Sequence, residues 1–165
     1  MSIRSSLTPG LVVSLMVTAA AVASLHAAQG ASDPAAHVVL AADQVKYGPL
    51  EIPGFTPGLK LAVVHGDPNA ESGTYVVRLQ FPGGYRFPAH WHPNAENLTV
   101  LSGEFLLGMG EQEDAAKIMS YKPGTFMYIP GKMPHYGGVK AATVVQLHGQ
   151  APFKVELVKP ATKTP

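Results

Sequence analysis

Glycine and proline interrupt this chain too often for long helices to form. Seventeen glycines and fifteen prolines make up 32 of its 165 residues, close to a fifth. Each favours a turn or breaks a helix, so the chain must fold from short segments that reverse often. The stretches between these breaks read as strands. Thr74 to Phe81 alternates, with Tyr75, Val77, Leu79 and Phe81 on one face and Val76, Arg78 and Gln80 on the other. That is the period of a strand covered on one side. Lys60 to Val64 precedes it, and a turn at Gly66-Asp67-Pro68-Asn69 separates the two. Phe81-Pro82-Gly83-Gly84 then turns into a strand carrying His90 and His92, and Glu96 opens the next, with Leu98 and Val100 on its face. Further strands are predicted over Glu104 to Met109, Ile118 to Tyr121, Thr125 to Ile129 and Thr143 to His148, with an edge strand within Pro152 to Val158. Strands at such regular spacing predict an all-β sandwich or barrel without internal repeats.

The first residues read as an export signal. Arg4 supplies a positive start, Leu11 to Ala23 an apolar core, and small residues follow. Cleavage falls between about Ala23 and Gly30, with Ala21-Val22-Ala23 and the bond after Ala28 both suitable. An uncleaved membrane anchor is the competing reading, but the apolar run falls short of the roughly 20 residues that span a bilayer. Residues 1–28 are therefore expected to be a signal peptide, 29–58 an N-terminal arm against the barrel, 59–160 the folded domain and 161–165 a tail. The expected location is periplasmic or secreted, with no stable membrane anchor after cleavage. Absence of cysteine excludes disulfides and thiolate ligands. A net charge of +1 without a Lys/Arg run argues against nucleic acid as a partner.

Four side chains carry the chemistry. His90, His92 and Glu96 lie in Gly84-x5-His90-x-His92-x3-Glu96-x6-Gly103, and His135 lies in Gly124-x5-Pro130-x4-His135. Side chains two apart on a strand share a face, so His90 and His92 can share a partner. Three neutral imidazoles and a carboxylate suit a divalent first-row metal and leave positions open. Such binding needs unprotonated imidazole, so it should weaken as pH falls through about 6.5.

These two segments resemble the paired motifs of the cupin superfamily. The first matches at every defined position. The second departs at Lys132, where the family has glycine, and at Val139, where it usually has asparagine, while keeping the proline-to-histidine spacing. The resemblance implies a single cupin β-barrel (a jelly roll, or double-stranded β-helix). It also implies that His90, His92, Glu96 and His135 hold one divalent transition metal, whether Mn, Fe, Ni, Zn, Cu or Co. By the same resemblance Met127 and Ile129 line the barrel and Tyr128 does not.

Other residues admit two readings each. If His90 faces inward, strict alternation puts Arg86 and Pro88 on its face, where Arg86 either clamps a substrate carboxylate or reaches solvent from the rim. The same counting puts Tyr85, Phe87 and Trp91 outward, an aromatic row that needs cover by the arm or by a second subunit, and so a homodimer is expected. His148 is either a cavity acid–base group or part of an outward polar face, the latter being the stronger reading. Tyr136 adjoins a ligand and is a candidate to hydrogen-bond a bound molecule. Two functions compete: an exported metal-dependent oxidoreductase, dioxygenase-like, acting on a small organic substrate, and a non-catalytic module that captures a small molecule or the metal itself.

Overall fold

The computed structural model describes residues 37–159. The expected signal, the start of the arm and the tail 161–165 lie outside them. Among the described residues, eleven short strands build the unit that begins at Val39. They are β1 (Gly48–Pro49), β2 (Lys60–His65), β3 (Thr74–Phe81), β4 (Arg86–Trp91), β5 (Glu96–Ser102), β6 (Phe105–Met109), β7 (Met119–Tyr121), β8 (Phe126–Ile129), β9 (His135–Val139), β10 (Thr143–Gln150) and β11 (Glu156–Leu157). One sheet has the order β1-β2-β3-β10-β5-β8, the other β11-β4-β9-β6-β7. Every pairing is antiparallel. The only helical turns among the described residues are two 3₁₀ segments, Ala42–Gln44 and Ala115–Lys117.

Alternation decides which faces meet. In β3 the buried set is Tyr75, Val77, Leu79 and Phe81, as the sequence pattern requires. Leu98 and Val100 of β5 and Val145 and Leu147 of β10 complete that inner face. Burying one such side chain stabilises by about 1.5–3 kcal/mol. The facing sheets thus provide the main stabilisation, and the turns set register. Leu50, Ile52 and Phe55, from the part of the arm that is described, also pack on this core.

Two departures from the sequence reading shape the functional end. The first lies in β4. Arg86 pairs with Gly138 and Phe87 with Gly137, but His90 pairs with His135. Three steps along β4 match two along β9, so one extra residue is inserted at Pro88-Ala89, a β-bulge. Proline has no N–H to give the ladder and fits there. The bulge shifts the alternation by one. Phe87 and His90 therefore both face inward, Tyr85 and Phe87 are buried core, and Arg86 is exposed. The expected outward aromatic row does not exist. Of its members only Trp91 turns away from the core, half-buried and paired with Glu156 of β11. The reason for invoking a second subunit goes with it.

The second departure is β9, a strand the sequence pattern did not reveal. It pairs with β4 and β6 and is buried along its whole length. A Cβ on Gly137 would strike the Leu106 carbonyl, and one on Gly138 the Tyr85 carbonyl. These glycines let both neighbouring backbones close in.

Lys132, where the related motif has glycine, adopts the left-handed conformation at φ 63°. Its N–H donates to the His92 carbonyl at 2.7 Å, which ties this loop to the segment carrying His90 and His92. The left-handed form strains an L-residue by about 1–2 kcal/mol, partly offset in glycine by its freer unfolded chain. Lys132→Gly is thus expected to stabilise the fold by about 1 kcal/mol and Lys132→Val to destabilise it, as read from urea denaturation midpoints.

Candidate metal centre

The bulge and three strand ends bring the four sequence candidates together. His90 follows the bulge in β4, His92 lies one residue past that strand, Glu96 opens β5 and His135 opens β9. All four are buried, at 3–7% exposure. The three histidines form a group able to hold a metal ion, with ring nitrogens all within 4.8 Å of one another. Glu96 Oε2 sits 3.8 Å from His92 Nε2 and 3.7 Å from His135 Nε2. Two donors each about 2.1 Å from one ion stand about 3.0–4.2 Å apart. The carboxylate distances fall in that range.

Each imidazole is oriented by a backbone carbonyl. His90 Nδ1 donates to Pro88 O at 2.8 Å, His92 Nδ1 to Lys154 O at 2.7 Å and His135 Nδ1 to Met133 O at 3.0 Å. A carbonyl only accepts, so Nδ1 carries the proton and Nε2 keeps its lone pair free. His92 Nε2 and Glu96 Oε2 are buried without a protein hydrogen-bond partner. Such orphans are expensive unless something completes them, and a divalent cation would satisfy both.

Electrostatics favour the metal-ready form of the rings. Burial, and then the neighbouring His135, push His90 down to about 3. Burial also lowers His92 and His135. His90 in the metal-free triad thus stays neutral well below the reference histidine value of about 6.5, and His92 and His135 shift the same way. Burial raises Glu96 above the usual carboxylate range, and His135 only partly opposes this.

The centre lies in an apolar cavity of about 40 Å³, room for roughly three water-sized groups. Among the described residues, no charged or hydrogen-bonding side chain other than the four lines it. Phe55 presents an edge to His90 with centroids 5.0 Å apart, and Phe153 stacks on His92 at 5.3 Å and 19°. Neither phenylalanine stood out in the sequence. The available sign was a large aromatic within the turn-rich runs Pro53-Gly54-Phe55 and Pro152-Phe153.

The weaker candidates lie elsewhere. Arg86 is outside the cavity because the bulge reverses the face on which it was counted. His148 is exposed and stacks near Phe126, with centroids 6.5 Å apart, in keeping with the outward polar reading. Tyr136 is fully buried on the face opposite His135, where its hydroxyl donates to Asp114 O at 3.1 Å. It braces the 3₁₀ turn and faces no ligand. Ile129 lines the cavity, Met127 packs on the core and Tyr128 is exposed.

A sequence-family model described as a cupin domain matches residues 76–147. No curated protein matches the chain. Among solved structures, the polyketide cyclase RemF from Streptomyces resistomycificus aligns with a TM-score of 0.63 at 17% identity, over 77% of this chain and 89% of that one. A candidate acetylacetone dioxygenase from Methylibium petroleiphilum PM1 aligns with a TM-score of 0.59 at 19% identity, over 79% and 86%. A cupin 2 conserved barrel domain protein from Rhodopseudomonas palustris aligns with a TM-score of 0.54 at 15% identity, over 68% and 77%. At such identities the structural likeness speaks for the fold alone. Motif spacing, family match and double antiparallel sheet agree: residues 76–147 match a cupin domain, and the fold is that of a cupin barrel.

Proposed function

We propose that this protein is an exported, metal-dependent oxidoreductase, dioxygenase-like, that acts on a small uncharged organic molecule. The observation that carries this reading is the pairing of three freed Nε2 lone pairs and an orphaned carboxylate with an otherwise apolar cavity. His90, His92, His135 and Glu96 would hold the ion. A divalent transition metal bound there would supply Lewis-acid polarisation and, if redox-active, access to dioxygen. The chain's own residues supply little else. Among the described residues no separate acid–base side chain reaches the cavity, so reactions that need one at a second position are disfavoured. No cation among the described residues lines it either, so a substrate carboxylate would lack a partner there beyond the metal. Phe55 and Phe153 restrict size and exclude water. The candidate dioxygenase among the structural relatives adds an analogy of fold, not of residues.

Oxygen uptake by the Fe(II), Mn(II) and Ni(II) forms over diketones, small catechols and flavonols tests the proposal. Uptake above the metal-free control is expected with the smaller compounds, and flavonols should be excluded by size. A second reading, the non-catalytic module, draws on the same lack of acid–base groups. It wins if calorimetry detects tight ligand binding while no metal form consumes oxygen.

A further inference from the structure

The three imidazoles are not held alike. His90 and His135 each donate to a carbonyl two residues back, at Pro88 and Met133, so the backbone just before each ring orients it. His92 lies just past the end of β4, and its acceptor, the Lys154 carbonyl, is 62 residues away along the chain. The ring of Phe153, next to that carbonyl, stacks almost parallel on His92, at 5.3 Å and 19°. One extended segment therefore grips this imidazole by its Nδ1 edge and by its face.

That segment is lightly tethered. Phe153 N–H donates to Pro68 O at 2.7 Å and Val158 N–H to Ala89 O at 3.0 Å. Between them β11 adds two pairs, Glu156 with Trp91 and Leu157 with His90. Both β11 residues are exposed, and the strand is the outermost of its sheet. A two-residue edge strand contributes little stability of its own. Its chief buried contacts converge on the cavity, through Phe153 and Val155.

We infer that residues 152–158 form a positioning strap, in which the Lys154 carbonyl and the Phe153 ring fix the tautomer and plane of His92. With the strap docked, three Nε2 lone pairs converge. With it displaced, His92 is free to turn or to move its proton to Nε2, leaving two imidazoles and Glu96. Outer partners of this kind commonly change metal affinity by about 10–100-fold. The inference rests on the metal reading of the site, but its principal test needs no metal.

The full-length metal-free protein, with ¹⁵N-labelled histidine, should show three Nδ1–H tautomers by long-range ¹H–¹⁵N correlation. In Phe153→Ala, His92 alone should lose its single-tautomer signature, while His90 and His135 keep theirs. Cobalt(II) should bind that variant about 10–100-fold more weakly, with an altered visible spectrum. Phe153→Tyr, which keeps the stacked ring, should restore both readouts, and so separates a positioning role from lost volume. A chain ending at Ala151 should behave like Phe153→Ala or worse. Should His92 keep the wild-type tautomer in Phe153→Ala and in the shortened chain, the strap is packing only and the inference is wrong. If wild-type protein takes up no cobalt but the tautomer change appears as described, the metal reading fails while the strap stands.

Discussion

His135→Ala should lower metal affinity by more than about 100-fold, beyond the range set by outer-partner losses, while leaving the sheets intact. His135 is the most buried of the four ligand candidates, at 3% exposure, and the nearest imidazole to the carboxylate, 3.7 Å from Glu96 Oε2. It also lies directly across the ladder from His90, with ring centroids 4.3 Å apart. Its removal leaves two nitrogens and one carboxylate, too few donors to hold a divalent ion firmly. The fold should survive because alanine keeps the β9 ladder and the Met133 carbonyl lies beside a loop. Competition against a chromophoric chelator, with circular dichroism as the check on folding, measures the effect. His148→Ala, on the exposed face, should bind like wild type. Equal affinity in His135→Ala and wild type would remove the site altogether.

Glu96→Gln should produce opposite changes in the metal-free and metal-loaded proteins. Burial raises the Glu96 pKa above its usual 4.5. Above about pH 4.5 the unfolded chain ionises this carboxyl freely while the folded chain resists, so the group subtracts stability as pH rises. An amide of the same shape escapes the penalty. The metal-free variant should be more stable than wild type near neutral pH, read as a higher Tm, and the gain should vanish below about pH 4.5. Saturating metal should invert the order, because only the folded wild type gains the full binding energy. The imidazoles act on the acid side. His90, pushed down to about 3 chiefly by burial, stays neutral when folded but charges when unfolded below about 6.5. Acidification through that interval should therefore destabilise the metal-free protein. Melting curves at several pH values, with and without metal, resolve both effects.

Much of this was legible because hydrophobic alternation and turn residues are local signals. Thr74 to Phe81 showed its inner face directly, and the motif spacing of His90, His92, Glu96 and His135 marked the residues that the fold gathers. The failures share a physical cause: the deciding interaction is remote. Counting by twos from His90 back to Arg86 assumed an unbroken ladder, although Pro88 inside the strand was the visible sign that it breaks. β9 was hidden because Gly137 and Gly138 carry no side-chain pattern. Their value lies in what neighbouring backbones require. Phe55 and Phe153 come from segments outside both motifs, and nothing near them in the sequence marks a partner dozens of residues away.

The extra residue at Pro88-Ala89 has a further consequence for how this protein can change over time. It places an aromatic floor, Phe87, and a cavity-facing ring, His90, at an odd separation on one short strand. Losing a single codon there would leave the two residues two apart on a regular ladder and still on one face, whereas straightening the bulge at full length would swing His90 toward solvent. Replacing Pro88 with a residue that favours a regular strand is therefore the more disruptive change, so identity at this spot should be guarded more strictly than length.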